Sequence, residues 1–358
     1  MKKRGVIILG VSLLCTIMVF TSCNKKEAVS TSTNGGLVIG FSPGASGTNF
    51  RTEGTDAFRE QCEDYKSQGR IKNYRIVENV TNFDAAEQAN IIRNFINDPE
   101  INVIVVNPNS PTDLNGVLSE AVAANKTVVV VDCEVNVPGV TCVSINHYDW
   151  SKETAEYIAS NLGNGNTIQI YGGEGHPANN QRIKAVHDTL KNYPNIRLVA
   201  DVTGGWDEQV AKQTATQILG GGQQIDGVFT QDSMADGVLS AFLDLGKLPK
   251  VMYGECGTAF ARKWKTLIDS GVDIKICSNP NPPTIVVSGL RIAVNIAEGK
   301  SFKPGVLGGQ FGATYYYEVK QFYTNENFDE LWDIVQNKPE DYLLTEDISV
   351  AEADALFL

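Results

Sequence analysis

From Leu37 onward, short uninterrupted apolar runs alternate with longer stretches in which apolar residues recur every three to four positions. The runs at 37–41, 74–77, 103–106, 128–131, 140–145, 167–171, 198–202, 228–230, 251–253 and 274–277 predict strands. The stretches at 84–97, 114–125, 151–161, 180–192, 207–219, 234–245, 260–270 and 285–298 predict helices. Two show the pattern well: Ile91, Ile92, Phe95 and Ile96 form one helical stripe, and Leu114, Val117, Leu118, Ala121 and Val122 form another. The strand runs are continuous rather than alternating, as a parallel sheet covered on both faces requires. Strict βαβα alternation gives an α/β, doubly wound fold.

The first unit, 37–58, carries the most chemistry. Its strand feeds a Gly/Ser/Pro-rich loop that ends in Phe50 and Arg51, and an amphipathic segment follows toward Tyr65, with Phe58 and Cys62 at i, i+4 spacing. Ligands of open α/β sheets bind at the carboxyl ends of the strands, so this loop is expected to wall a site. The chain also repeats itself. NGVLSEAVAANKTVVVVD at 115–132 and DGVLSAFLDLGKLPKVMYGE at 236–255 share a helix opening G-V-L-S and then a buried strand ending in a carboxylate. Falling at the same point of the same βα pattern, the repeat predicts two lobes of like topology. Asp132 and Glu255 then occupy corresponding strand ends and point into the cleft.

A different composition precedes the first strand. Lys2, Lys3 and Arg4 are followed by an uncharged apolar segment, 5–20, and then by Thr21, Ser22 and Cys23. This reads as a signal peptide over 1–22, too short and wrongly flanked for a spanning helix. Residues 24–36, rich in Ser, Thr, Asn and Gly, read as a flexible tether. A chain of 358 residues suits two domains, and its formal net charge of −12 opposes nucleic acid and anionic lipid as partners. Besides Cys23, the exported part holds Cys62, Cys133, Cys142, Cys256 and Cys277. Their number is odd and no pair has C-x-x-C spacing, so they read as buried free thiols, with a Cys133–Cys142 pair across a short loop as the alternative.

Catalytic and cofactor motifs are weak. Gly173-Glu174-Gly175-His176-Pro177-Ala178 fits the dinucleotide fingerprint G-x-G-x-x-A, but Pro177 stands where the loop must present N–H groups and the unit is not first in the chain; a tight glycine turn at the cleft is the better reading. No G-x-S-x-G occurs, and His147, His176 and His187 lack metal-ligand spacing. No catalytic residue, metal or cofactor is therefore expected. Polar and aromatic residues do recur at successive strand ends: Phe50, Arg51, Asp132, Asn180, Trp206, Gln231, Glu255 and Ser278. A sugar explains such a set. Carboxylate, amide and guanidinium groups satisfy its hydroxyl rim, and aromatic rings cover its C–H faces.

Several segments carry a family resemblance over essentially Leu37 to the C-terminus. GFSPGASGTNFR at 40–51, Asp84 to Gln88 as D-x-x-x-Q, Asn107-Pro108, Gly205-Trp206-Asp207 and the 228–237 segment VFTQDSMADG resemble the type I periplasmic sugar-binding proteins, the ribose- and galactofuranose-binding group that serves ABC importers. The leader ending at Cys23 resembles a bacterial lipoprotein signal, which implies lipidation of Cys23 and a membrane-held, exported protein. The resemblance implies a periplasmic-binding-protein-like fold of two parallel-sheet lobes, 36–144 plus 279–309 and 145–278 plus 310–358, crossed three times near Ser144, Ser278 and Gln310. It implies that Phe50 and Trp206 stack on a monosaccharide, a pentose or hexose, that Asp132, Gln231, Glu255 and Ser278 bond its hydroxyls, and that Asn180 takes the place of one ligand arginine while Arg182 matches another nearby. The closed form would dock on an ABC permease; delivery to a chemoreceptor or sensor kinase and an exported saccharide-acting enzyme are the alternatives. The C-terminal 315–317 strand and acidic tail would pack on the second lobe. The sequence departs from the family at Cys133, where an arginine is usual, at Gln231, where Asn is usual, at Glu255-Cys256, where the match to the family's Asp is ambiguous, and at 45–47, which lacks an acidic residue.

Overall fold

The computed structural model describes residues 36–45, 48–81 and 83–358; Cys23 and the leader lie outside them. Two six-stranded sheets organise the chain. In the first, β1 (Val38–Ser42) lies between β2 (Asn73–Ile76) and β3 (Val103–Val106), followed by β4 (Thr127–Val131), β5 (Thr141–Ser144) and, later in the chain, β11 (Thr314–Tyr316). In the second, β6 (Gly165–Tyr171) lies between β7 (Ile196–Thr203) and β8 (Gly227–Phe229), followed by β9 (Val251–Tyr253), β10 (Lys275–Ser278) and β12 (Tyr323–Thr324). All pairings are parallel except β10 with β12. Each predicted strand run falls on one of β1 to β10. The two G-V-L-S helices, α3 (Asn115–Ala123) and α7 (Met234–Asp244), precede β4 and β9, which hold equivalent places in the two sheet orders.

Strand interiors are apolar on both faces because helices cover both. In the first sheet Ile39, Val105, Val129 and Val131 pack toward α1 (Asn49–Ser67) and α9 (Ile285–Ala297), whereas Ile104, Val128 and Val130 pack toward α2 (Ala85–Asn97) and α3. The α9 backbone lies close on β4: a Cβ on Gly289 would meet Val131 at 2.2 Å, so the position tolerates only glycine without displacement. The five cysteines among the described residues are buried and free.

The tail differs from expectation. Thr314–Tyr316 was expected with the second lobe but pairs in parallel with β5 of the first sheet, Tyr315 opposite Val143. The chain therefore leaves the first lobe after Tyr317 rather than near Gln310. β12 and α10 (Phe328–Val335) then join the second lobe, where Phe328, Leu331, Val335 and Leu344 enter its core. A further passage returns the chain to the first lobe, so the tail is divided between the two. Ile348, Ala353 and Phe357 on and around α11 (Val350–Ala355) bury against the α9 side of the first core. Arg291 fixes this return, bonding Gln61, Asp347 and the Ile348 carbonyl.

Candidate functional site

A cavity lies where the carboxyl ends of the two sheets meet. At the first sheet's switch point, β1 and β3 diverge into loops that side chains tie together. Asp84 caps α2 by accepting from the Ala86 and Glu87 amides at 2.8 and 3.0 Å. Gln88, buried four residues on, donates to Ser42 Oγ at 3.1 Å and the Asn107 carbonyl at 3.0 Å, and accepts from the Asn109 amide at 2.8 Å. The D-x-x-x-Q and Asn-Pro segments thus hold the two loops in register. Thr48 caps α1, so Phe50 and Arg51 stand on the first helical turn rather than in the loop. Arg51 donates to the carbonyls of Pro43 (2.7 Å), Asn107 (3.1 Å) and Pro108 (3.5 Å), and its guanidinium lines the cavity with donors to spare.

Asp132 follows β4 in the left-handed region, φ 66°, which turns its carboxyl into the cavity. Burial pushes that carboxyl up to about 6, against the pull of Arg51 and Arg182. His147 begins α4 (His147–Leu162) beside the first crossing and reads out a definite protonation state. Its Nδ1 lies 3.2 Å from Arg182 Nη2, which can only donate, so Nδ1 accepts; Nε2 carries the proton and donates to the Asp132 carbonyl at 3.0 Å. Burial and the Arg182 charge hold His147 well below its ordinary value, so the ring is neutral.

The second lobe supplies an ion-paired floor. Arg182 is 1 % exposed. It bonds Asp232 at 2.6 Å, lies over the Trp150 ring at 4.2 Å, and leaves its Nε without a partner among the described residues. Asn281 donates to the other oxygen of Asp232 at 3.3 Å. Trp206, also at positive φ (57°), lays its indole on the Gly172–Gly173 backbone, where a Cβ on Gly172 would meet the ring at 2.1 Å. This close approach is what Gly172 and Gly173 permit. His176, which caps α5 (Pro177–Leu190), packs its edge on the Trp206 ring at 5.1 Å, and burial with Arg51 and Arg182 nearby draws it down to about 3.

Of the residues singled out in the sequence, Phe50, Arg51, Asp132, Trp206 and Glu255 line this one cavity, and both Glu255 and Cys256 do so. Burial, reinforced by Asp232, Asp236 and Glu208, raises the Glu255 carboxyl well above its usual range. Gln231 and Ser278 lie beneath the wall. Gln231 accepts from Trp206 Nε1 (3.1 Å) and Arg182 (3.4 Å) and donates to Asn179 (3.0 Å), while Ser278 Oγ sits 2.9 Å from Cys256 Sγ. Asn180 is exposed on the outer face of α5 and takes no part in the lining. Residues the sequence did not single out as contacts include His147, His176, Asp232, Asn279, Asn281, Leu343 and Leu344. Asp232 had a signal: it directly follows a residue picked for its strand-end position. Leu343 and Leu344 had none, because only the return of the tail brings them in.

Two parallel-sheet lobes with a polar, aromatic-lined cavity at their facing carboxyl ends define a two-lobed binding protein. The periplasmic binding protein domain matches residues 39–301, and the chain belongs to that family. It is similar to the D-apiose import binding protein of Actinobacillus succinogenes, 24% identical over 209 residues, covering 57% of this chain and 67% of that protein. It is also similar to the xylitol-binding protein of Mycolicibacterium smegmatis, 26% identical over 261 residues, covering 72% and 71%. Among solved structures, an ABC transporter solute binding protein from Thermobispora bispora superposes with a TM-score of 0.76 at 21% identity, covering 89% of this chain and 94% of that one.

Proposed function

We propose that the chain is the substrate-binding component of an ABC sugar importer, capturing one monosaccharide or closely related polyol between its lobes. The observation that carries this reading is the cavity itself, with Asp132 and Arg51 on one lobe opposed to Arg182, Asp232 and Trp206 on the other. Carboxylate and guanidinium groups pair with vicinal hydroxyls, which each donate and accept, and the indole covers a C–H face. Phe50 serves as the second stacking face. The relatives named for D-apiose and xylitol support a small polyhydroxylated guest.

Each lobe alone reaches only part of the guest, so capture requires the lobes to close about the crossings between them. The closed form then docks on a permease. The reading includes no catalytic step: Asp132 and Glu255 bond hydroxyls rather than transfer protons. Cys23 is proposed as the lipid-modified first residue of the mature chain, tethered through 24–36 to the membrane of an exported protein. Mass analysis of the membrane fraction should find the acylated thiol, and a Cys23→Ser chain should appear in the soluble fraction. Calorimetric titration against a panel of aldoses, ketoses and polyols tests the binding claim, with at least one guest expected at micromolar affinity, ~8 kcal/mol. Absence of binding across the panel would overturn it.

A further inference from the structure

We infer that Phe83 is a guest-contacting residue, the first lobe's counterpart of Trp206, and that the two rings cover C–H faces of the sugar at the mouth of the cleft. The inference rests on the sugar-binding reading above and deepens it. Phe83 lines the cavity together with Thr48, Asn49 and Phe50, yet it is 45% exposed.

The two lobes build the same device at the same place. In the order of elements, β2 and α2 of the first lobe correspond to β7 and α6 (Glu208–Gly220) of the second. β2 and β7 are edge strands of their sheets, and the strands from which the chain crosses between lobes, β5, β10 and β11, lie toward the opposite edges. Phe83 immediately precedes Asp84, the cap of α2. Trp206 immediately precedes Asp207, which caps α6 by accepting from the Val210 amide at 2.9 Å. Both aromatic residues have left-handed backbone, φ 58° at Phe83 and 57° at Trp206.

A bulky side chain is seldom found in that region, which glycine or asparagine enters at little cost. Among the described residues five besides glycine have positive φ, and four of them, Phe83, Asp132, Trp206 and Asp232, line the cavity. Strained backbone clusters where a ligand is held. At Phe83 the strain is imposed from both sides. Glu87 accepts from the Val80 and Thr81 amides at 2.6 and 2.9 Å, and the Asn79 side chain donates to the Asp84 carbonyl at 2.7 Å. The Asn79 amide donates to the Gly44 carbonyl at 3.0 Å, which fastens the segment to the loop after β1. An exposed ring held in this way contributes little to a core. Phe50, on the unit of the inner strand β1, leans on the first core, and Phe83 takes the outer position. Covering a C–H face of the guest removes that ring from water on capture.

The test uses the full-length protein with D-ribose, L-arabinose, D-galactose, D-fructose, D-allose, D-apiose and xylitol as probes, the tightest of which is carried through the variants. Phe83→Gly removes the ring and accepts the backbone angle without strain. Calorimetry should find its affinity about fivefold weaker or more, and stopped-flow a faster release, while the thermal midpoint without guest stays close to wild type. Phe83→Tyr, which keeps the ring, should bind within about threefold of wild type. Phe83→Trp gives a reading independent of the glycine variant: at saturation, the emission it adds to that of wild type should shift to the blue as the ring leaves water. Wild-type affinity in Phe83→Gly, or added emission that saturation leaves unchanged in Phe83→Trp, would overturn the inference and leave the sugar-binding reading standing. Absence of binding by the wild type to every probe would overturn both.

Discussion

Asp132 makes a sharp prediction because its carboxyl is caught between opposed influences. Burial lifts it to about 6, and Arg51 and Arg182 draw it back. The unfolded chain releases this proton near pH 4. Between about pH 4 and pH 6 the folded state without guest holds more protons than the unfolded one, so stability falls as pH rises through that window. A displacement of about two pH units corresponds to ~3 kcal/mol at most. Binding has the opposite sign. Sugar hydroxyls donate to the ionised carboxylate, so capture favours loss of the proton, and affinity should be about tenfold weaker at pH 5 than at pH 7 if only the ionised form binds. His147 and His176 are both held neutral across this range, so they do not contribute the same step. Calorimetry at pH 5, 6, 7 and 8, in buffers of different ionisation enthalpy, should register proton release near pH 6. Asp132→Asn should bind at least tenfold more weakly at pH 7 and lose the step near pH 6. A flat profile in the wild type, or the same step in Asp132→Asn, would refute the assignment.

Other expectations follow from contacts of the same kind. Arg182→Met removes a buried charge from Asp232, Gln231 and His147; it should abolish measurable sugar binding and lower unfolding free energy by ~3 kcal/mol in urea titration. Trp206→Ala should weaken binding about tenfold or more, the ~1.4 kcal/mol scale of a lost stack. Gly172→Ala should weaken it comparably by displacing the indole, with an accompanying shift in tryptophan emission. Arg291→Ala cuts the bonds by which α9 holds Gln61 on α1 and Asp347 and Ile348 in the tail, and should cost ~2 kcal/mol of stability, read from the denaturation midpoint.

The sheets were legible because both faces of their strands are buried, which writes uninterrupted runs such as 103–106 and 128–131 into the sequence. The repeated G-V-L-S was legible for a related reason: like topology places like helices before β4 and β9. Helix starts were less readable. Pro177 occupies the first turn of α5 and His176 caps it, yet the periodic stretch becomes visible only from 180. Once the helix is extended, Ala178, Asn179, Arg182, Ala185 and Val186 form its buried stripe, which puts Asn180 on the outer face and brings Arg182 into the site. Gln231 and Ser278 sit at strand ends as the pattern suggests, but a strand end alone does not say whether a side chain reaches the guest or props up its neighbour. The destination of the tail was not legible at all. Thr314–Tyr316 is three residues long, and nothing local distinguishes the open edge of β5 from that of β10.

The divided tail also bears on the order in which the molecule can assemble. β6 to β10 form a continuous stretch of chain, so most of the second sheet can pair as soon as Ser278 is present. β1 to β5 are likewise continuous and complete by Ser144, but the first lobe's α9 face, its edge strand β11 and its closing turn around Ala353 and Phe357 come from the last quarter of the chain. Those contacts span up to some three hundred positions, the kind of separation that slows folding through loop-closure entropy. The lobe that begins first is thus the one completed last.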